Sequence, residues 1–135
     1  MNMTKSEECK INVFDYITDR SMTFCLGSAI RNITIKSLDR TDKVNNLANA
    51  LFYLELCIEK EAEYVMHDTE NCEYSVIDFI KCCDLSVNLG CALIEIDNAL
   101  DYGMNFQTDK VIERLKNALV LVDGELKKNL ILKGE

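Results

Sequence analysis

Proline and tryptophan are absent from this chain, and it has only five glycines and one histidine. Without proline, nothing forces a break in a helical hydrogen-bond ladder. Collagen-like, low-complexity and linker-rich classes are excluded by the same scarcity. Basic charge is also short: 15 Lys and Arg stand against 23 Asp and Glu, a net charge of −8. A surface that neutralises phosphates is therefore disfavoured, so neither nucleic acid nor an anionic membrane is an expected partner. No run approaches the roughly 18 uninterrupted apolar residues of a membrane span. The start, MNMTKSEECK, has no hydrophobic signal core, which points to the cytoplasm. There the seven cysteines are reduced thiols, and their odd number agrees. Cys25, Cys57 and Cys91 have apolar neighbours and read as small core residues.

What is present is a globular composition. The chain has 135 residues, 48% hydrophobic and 28% charged, the size and make-up of one domain spanning 1–135. The strongest internal signal is a repeat. Shifting Val13–Ile33 by 63 residues onto Val76–Ile96 gives identities at Val13/Val76, Asp15/Asp78, Ile17/Ile80, Leu26/Leu89, Gly27/Gly90, Ala29/Ala92 and Ile33/Ile96. Further on, TDKV at 41–44 matches TDKV at 108–111, and Leu47, Asn49, Ala50 and Leu51 match Leu115, Asn117, Ala118 and Leu119. The pattern reads as a tandem duplication of a helical hairpin unit, about 9–66 and 72–135.

Each unit predicts the same helices. A segment starts near Asn12 or Ser75 and runs, through a kink or short turn near 18–22 or 81–85, into a stretch containing Gly27 or Gly90. Those glycines suit close helix–helix approach beside Ala29 or Ala92. Loops follow at Ser37–Arg40 and Gly103–Gln107, and Thr41 and Thr108 are expected to cap a long helix. Its apolar stripes are Val44, Leu47, Ala48, Leu51, Leu54, Ile58 and Val111, Leu115, Ala118, Leu119, Val122, Leu126. The polar stretch 67–74 links the units. The expected fold is an all-α bundle of four to six helices.

The N-terminal unit resembles a small bacteriophage family of unknown function. The residues that carry the likeness are Val13-Phe14-Asp15-Tyr16-Ile17, Phe24-Cys25-Leu26-Gly27-Ser28-Ala29-Ile30-Arg31, and Leu47-Ala48-Asn49-Ala50-Leu51-Phe52-Tyr53-Leu54 with Ile58. The likeness covers roughly 12–60. Some family members are described as nucleotide kinases, because a similar segment lies in a podophage enzyme that phosphorylates nucleotides. The resemblance therefore implies a phage or prophage origin and, for function, a link to nucleotides. Asn32 stands where the family has tyrosine, and Arg31 and Lys36 are the bases that remain at that point.

His67, Cys72, Cys82 and Cys83 lack any CxxC pair and read as ordinary thiols rather than a zinc site. Glu59, Glu61, Glu63, Glu95, Asp97 and Asp101 lack the ExxE and ExxD spacing of helical magnesium sites and read as surface. No catalytic motif stands out, so the chain is expected not to be an enzyme and to carry no metal or cofactor. Phe52, Tyr53 and Tyr102 read as core or hairpin contacts.

The C-terminal half holds the charge imbalance, with thirteen acids and seven bases over 67–135. The leading expectation is therefore a protein that binds a macromolecular partner with a basic surface, a host or phage factor in defence or nucleic-acid processing. Asp84, Glu95, Asp97 and Asp101 would carry that recognition. The alternative is binding of a nucleotide or other small ligand, with Arg31, Lys36, Arg40 and Lys43 as the phosphate contacts. Phe52, Leu56 and Leu121, apolar but off the main stripes, favour a homodimer.

Overall fold

Five short polar side chains set where the helices begin. The structure is a computed structural model and describes residues 11–133. Helix α1 is Val13–Asp19, α2 Phe24–Thr34, α3 Arg40–Lys60, α4 Val76–Cys82, α5 Val87–Met104 and α6 Thr108–Lys133. Short 3-10 turns occupy Ala62–Tyr64 and Thr69–Asn71. Asn12, Thr23, Asp39, Ser75 and Ser86 cap α1 to α5, each accepting a hydrogen bond from a backbone N–H of the first turn. The fold is all-α, as composition and periodicity predict. Each 12–36-type segment is two helices, broken at the turns around residue 20 and residue 83.

Two expected caps move. Asp39, not Thr41, caps α3: its carboxylate accepts from the Asp42 N–H at 2.8 Å, and the Asp42 carboxylate accepts from the Leu38 N–H at 2.9 Å. A carboxylate at each end of that exchange satisfies two orphan donors, which a hydroxyl at Thr41 does not match. Thr108 lies inside the first turn of α6, and the Gln107 carbonyl accepts from Lys110 and Val111.

The two helical hairpins, α2–α3 and α5–α6, pack through α3 against α6. Between them lies the core, with Leu26, Ile30, Ile33, Leu47, Leu54, Leu89, Leu93, Ile96, Leu100, Leu115 and Val122 essentially without solvent contact. The short helices close the ends, α1 on α2 and α4 on α5. Tyr16 of α1 and Phe79 of α4, which align at the 63-residue offset, stack on each other with centroids 4.0 Å apart and planes 10° off parallel. Cys25 and Cys57 are buried as expected, but Cys91 is exposed. Ala48 of the expected stripe faces solvent, so the apolar arc of α3 that meets the bundle is narrower than the stripe suggests, and Phe52, expected as a core or hairpin contact, is exposed as well.

The stretch between the halves is not a loose tether. The His67 N–H donates to the Leu100 carbonyl at 3.0 Å, and the Thr69 N–H donates to Asp101 at 3.0 Å. The N–H groups of Glu73 and Tyr74 both donate to the Asp19 carboxylate at 3.0 Å. Gly103 of α5 lets the Val65–Met66 backbone lie directly against it; a Cβ there would sit 1.8 Å from the Val65 carbonyl oxygen.

Candidate functional site

Of the charged groups the sequence singles out, three cations converge. The end of α2, residues 35–37 after it, and the first turn of α3 supply Arg31, Lys36 and Lys43 to one groove of about 810 Å³. Ile11 ahead of α1, Val13 and Phe14 of α1, and Phe79, Cys82, Cys83, Asp84 and Leu85 of α4 and the turn after it also line the groove. The volume is within the usual range for small-molecule sites, and polar and apolar side chains share the lining about evenly. Arg31 lies over the Phe14 ring, 5.5 Å from its centroid, within cation–π range. The Ser37 hydroxyl accepts from the Asn46 side-chain amide at 3.2 Å and fastens the loop that carries Lys36 to α3. Arg40, the fourth expected cation, is exposed and does not line the groove.

The acidic residues do not form one surface. Asp84 is exposed on the groove wall. Glu95 is half-buried and accepts from Arg114 at 3.3 Å. Asp101 is half-buried and accepts from the Thr69 hydroxyl at 2.9 Å. Asp97 corrects the expectation outright: it is 7% exposed, in the interior, where no partner reaches it.

Asp97 is buried because Arg20 is. The guanidinium, fully enclosed, donates to the Asp97 carboxylate through Nε at 2.6 Å and Nη2 at 3.4 Å, and to Asp19 at 3.3 Å. The Tyr16 hydroxyl donates to the same Asp97 oxygen at 3.1 Å, and Arg20 stacks on the Tyr16 ring at 4.1 Å. Burial, with the Asp97 charge behind it, pushes the Tyr16 phenol far above its ordinary range. Burial opposes the Arg20 charge, yet its bonds to Asp97 outweigh that and keep it protonated. Among the described residues no buried side-chain nitrogen or oxygen lacks a partner. A saturated network of this kind positions the two halves and leaves no group over for chemistry. Sequence reasoning missed it because the Arg20–Asp97 pair spans 77 residues. The available signal was that Arg20 sits opposite Cys83 at the 63-residue offset, where the two halves differ in charge.

His67, Cys72, Cys82 and Cys83 do not gather. The Cys72 thiol faces the Asp19 carbonyl at 3.4 Å, whereas Cys82 and Cys83 line the groove. Among the described residues no three His, Cys, Asp or Glu side chains are grouped so as to hold a metal ion. No described helix is long and apolar enough to cross a membrane. A scan against family models finds no match, and searches of curated proteins and of solved structures find none either.

Proposed function

We propose that this protein binds a small anionic ligand with an apolar or aromatic body in the groove between α2, α3 and the turn after α4. The observation that carries the reading is the convergence of Arg31, Lys36 and Lys43 on a concave, partly apolar site in a chain whose net charge is −8. In so acidic a molecule, three cations around one cavity with a single exposed carboxylate, Asp84, form a local reversal of sign. Anions are drawn to such a spot and held by charge-assisted hydrogen bonds. Val13, Phe14, Ile35 and Leu85, accessible apolar side chains of the groove, supply the surface on which the body of the ligand rests. A nucleotide meets this description, and the phage-family resemblance of 12–60 leans the same way. The role is binding rather than catalysis. An acidic surface for a basic protein partner has less support, because only Asp84 of its four residues is exposed.

Titration calorimetry with nucleoside mono-, di- and triphosphates, cyclic nucleotides and their phosphate-free nucleosides tests the reading. Heat is expected with the phosphorylated compounds and not with the nucleosides. The Lys36→Glu/Lys43→Glu double variant is expected to bind roughly tenfold or more weakly, and added salt is expected to weaken the wild type. No heat with any of these anions sinks the proposal.

A further inference from the structure

We propose that Cys82 is a modification site: its thiol exchanges with a small disulfide that carries carboxylates, the chemistry of glutathione disulfide, and the attached group then occupies the groove. The inference rests on the reading of the groove as an anion site and adds a way to close it. What carries it is a thiol and a cluster of cations in one cavity.

The described cysteines differ in what surrounds them. Cys25 and Cys57 are buried. The Cys72 thiol faces the Asp19 and Asp68 carbonyls at 3.4 and 3.7 Å. Cys83 lines the groove but packs against the core. Cys91 is exposed and lies outside the groove. Cys82, the last residue of α4, lines the groove, is half-exposed and takes no part in the core. It is therefore the thiol that shares the cavity with Arg31, Lys36 and Lys43 and stays open to a reagent.

Charge selects that reagent. The groove sets Arg31, Lys36 and Lys43 against a single carboxylate, Asp84. Glutathione carries carboxylates in excess over its single ammonium, with its sulfur between them. Its carboxylates suit the cations, its ammonium suits Asp84, and a cavity of about 810 Å³ has room for a tripeptide. A neutral or cationic disulfide has no such match. The exchange needs no further oxidant. Cys82 gives its proton to water, and its thiolate attacks one sulfur of the disulfide. A new bond forms from Cys82 Sγ as the old S–S bond breaks; the departing thiolate leaves with the electron pair and takes up a proton. The attached carboxylates then sit on the cations that a free anionic ligand would use, so capping excludes that ligand. Excess thiol reverses the exchange and reopens the groove.

Access alone ranks Cys91 ahead of Cys82, which makes Cys91 the internal control. The full chain is treated with glutathione disulfide or with cystamine, a cationic disulfide, and peptide mapping by tandem mass spectrometry gives the early ratio of capping at Cys82 to capping at Cys91. That ratio is expected to be about tenfold or more higher with glutathione disulfide. The Lys36→Glu/Lys43→Glu variant and high salt are each expected to abolish the difference. Glutathione-capped protein is expected to lose its calorimetric heat with phosphorylated ligand and to regain it on reduction, whereas Cys82→Ser treated in the same way keeps it. Equal ratios for the two disulfides, or a ratio that the double variant leaves unchanged, would overturn the assignment of Cys82 while the calorimetry of untreated protein still stands. Undiminished heat from capped protein would overturn the closing of the groove. No heat from untreated protein, with a charge-dependent ratio intact, would sink the ligand reading and support Cys82 as a site of exchange.

Discussion

The N-terminal and C-terminal halves use one order of helices and fill it with different chemistry. Both begin with a one-and-a-half-to-two-turn helix, α1 or α4, seated on a longer one, and the start of each sits 63 residues from its counterpart. Beyond that the halves diverge. Tyr16 of α1 and Arg20 at its C-terminal cap align with Phe79 of α4 and Cys83 at its cap, so the first half brings a hydroxyl and a charge where the second brings a plain ring and a thiol. Cys25 and Cys57, buried and close enough to influence each other electrostatically, align with Asn88 and Glu125. There the Asn88 amide reaches the Glu125 carboxylate at 3.5 Å. The lesson is that backbone capping and the apolar stripe suffice for the architecture. The polar residues specify how one half is held against the other.

The comparison breaks most severely at Arg20. Replacing it with methionine, which restores the C-terminal half's lack of charge at that place, strands Asp97 in the interior. Loss of one partner from a buried pair costs about 3–5 kcal/mol, and denaturant unfolding should register it. A second substitution, Asp97→Leu, is expected to restore part of that loss, because an apolar pair has no stranded charge. If Arg20→Met alone is neutral, the pair does not join the halves.

Gly103 breaks it next. Its contact with the Val65–Met66 backbone has no equivalent in α2, which ends earlier, at Thr34. Alanine there sets a Cβ 1.8 Å from the Val65 oxygen, 2.8 Å from its carbon and 2.9 Å from the Met66 Cα. Because all three are backbone atoms, no side-chain rotation relieves the clash. A loss of about 3 kcal/mol is expected, at the upper end of overpacking costs, with the linker 65–72 becoming the first segment to exchange its amide protons. Retained protection there would show that the linker is held by Asp19 and Asp101 alone.

Alkaline pH sharpens the comparison more gently. Burial pushes the Cys57 thiol from 9.0 to about 12, whereas the matching place in the other half holds Glu125. A thiol whose folded pKa is raised supplies stability that is complete below its unfolded value and drains away as pH climbs toward the folded one. Stability is therefore expected to fall from about pH 9 upward, and Cys57→Ala should remove about 1 kcal/mol of that fall between pH 9 and 10. Identical pH slopes for the variant and the wild type would place the alkaline sensitivity elsewhere, with Tyr16 the next group to examine.

Much of the architecture is legible in the residue order. Ser75 announces the start of α4, the Leu47–Leu54 and Leu115–Val122 spacings mark the packed arcs of α3 and α6, and the glycines at 27 and 90 fall inside helices as expected. The site is legible only in part. Arg31, Lys36 and Lys43 could be named from charge alone, but the cavity they border is completed by Phe79 and the turn after α4, far away in sequence. Helical spacing places Asp97 one turn from Asp101 and so suggests a shared surface. One is enclosed by Arg20 and the other reaches Thr69, because the two lie at different depths under the linker. Ala48 fits the apolar stripe by spacing, yet spacing does not report how wide an arc the neighbouring helices cover.

The finest contrast between the halves lies at the two matched glycines. Gly27 and Gly90 each occupy the fourth position of their helices, so alanine should bring the same gain in helix propensity to both, about 0.5–1 kcal/mol. The surroundings differ. A Cβ at residue 90 would lie 3.6 Å from the Ile80 Cγ2, an ordinary contact, so Gly90→Ala is expected to stabilise by that amount. A Cβ at residue 27 would lie 3.0 Å from the Ile17 Cγ2. A β-branched side chain is stiff at χ1, so relief requires α1 itself to shift. Yet α1 is anchored through Arg20 to Asp97. Gly27→Ala is therefore expected to lose stability, or at best to gain nothing, while its counterpart gains. Thermal unfolding of the two single variants measures the difference directly. Equal gains at both sites would mean that α1 moves as freely as α4 and that the buried ion pair does not pin it.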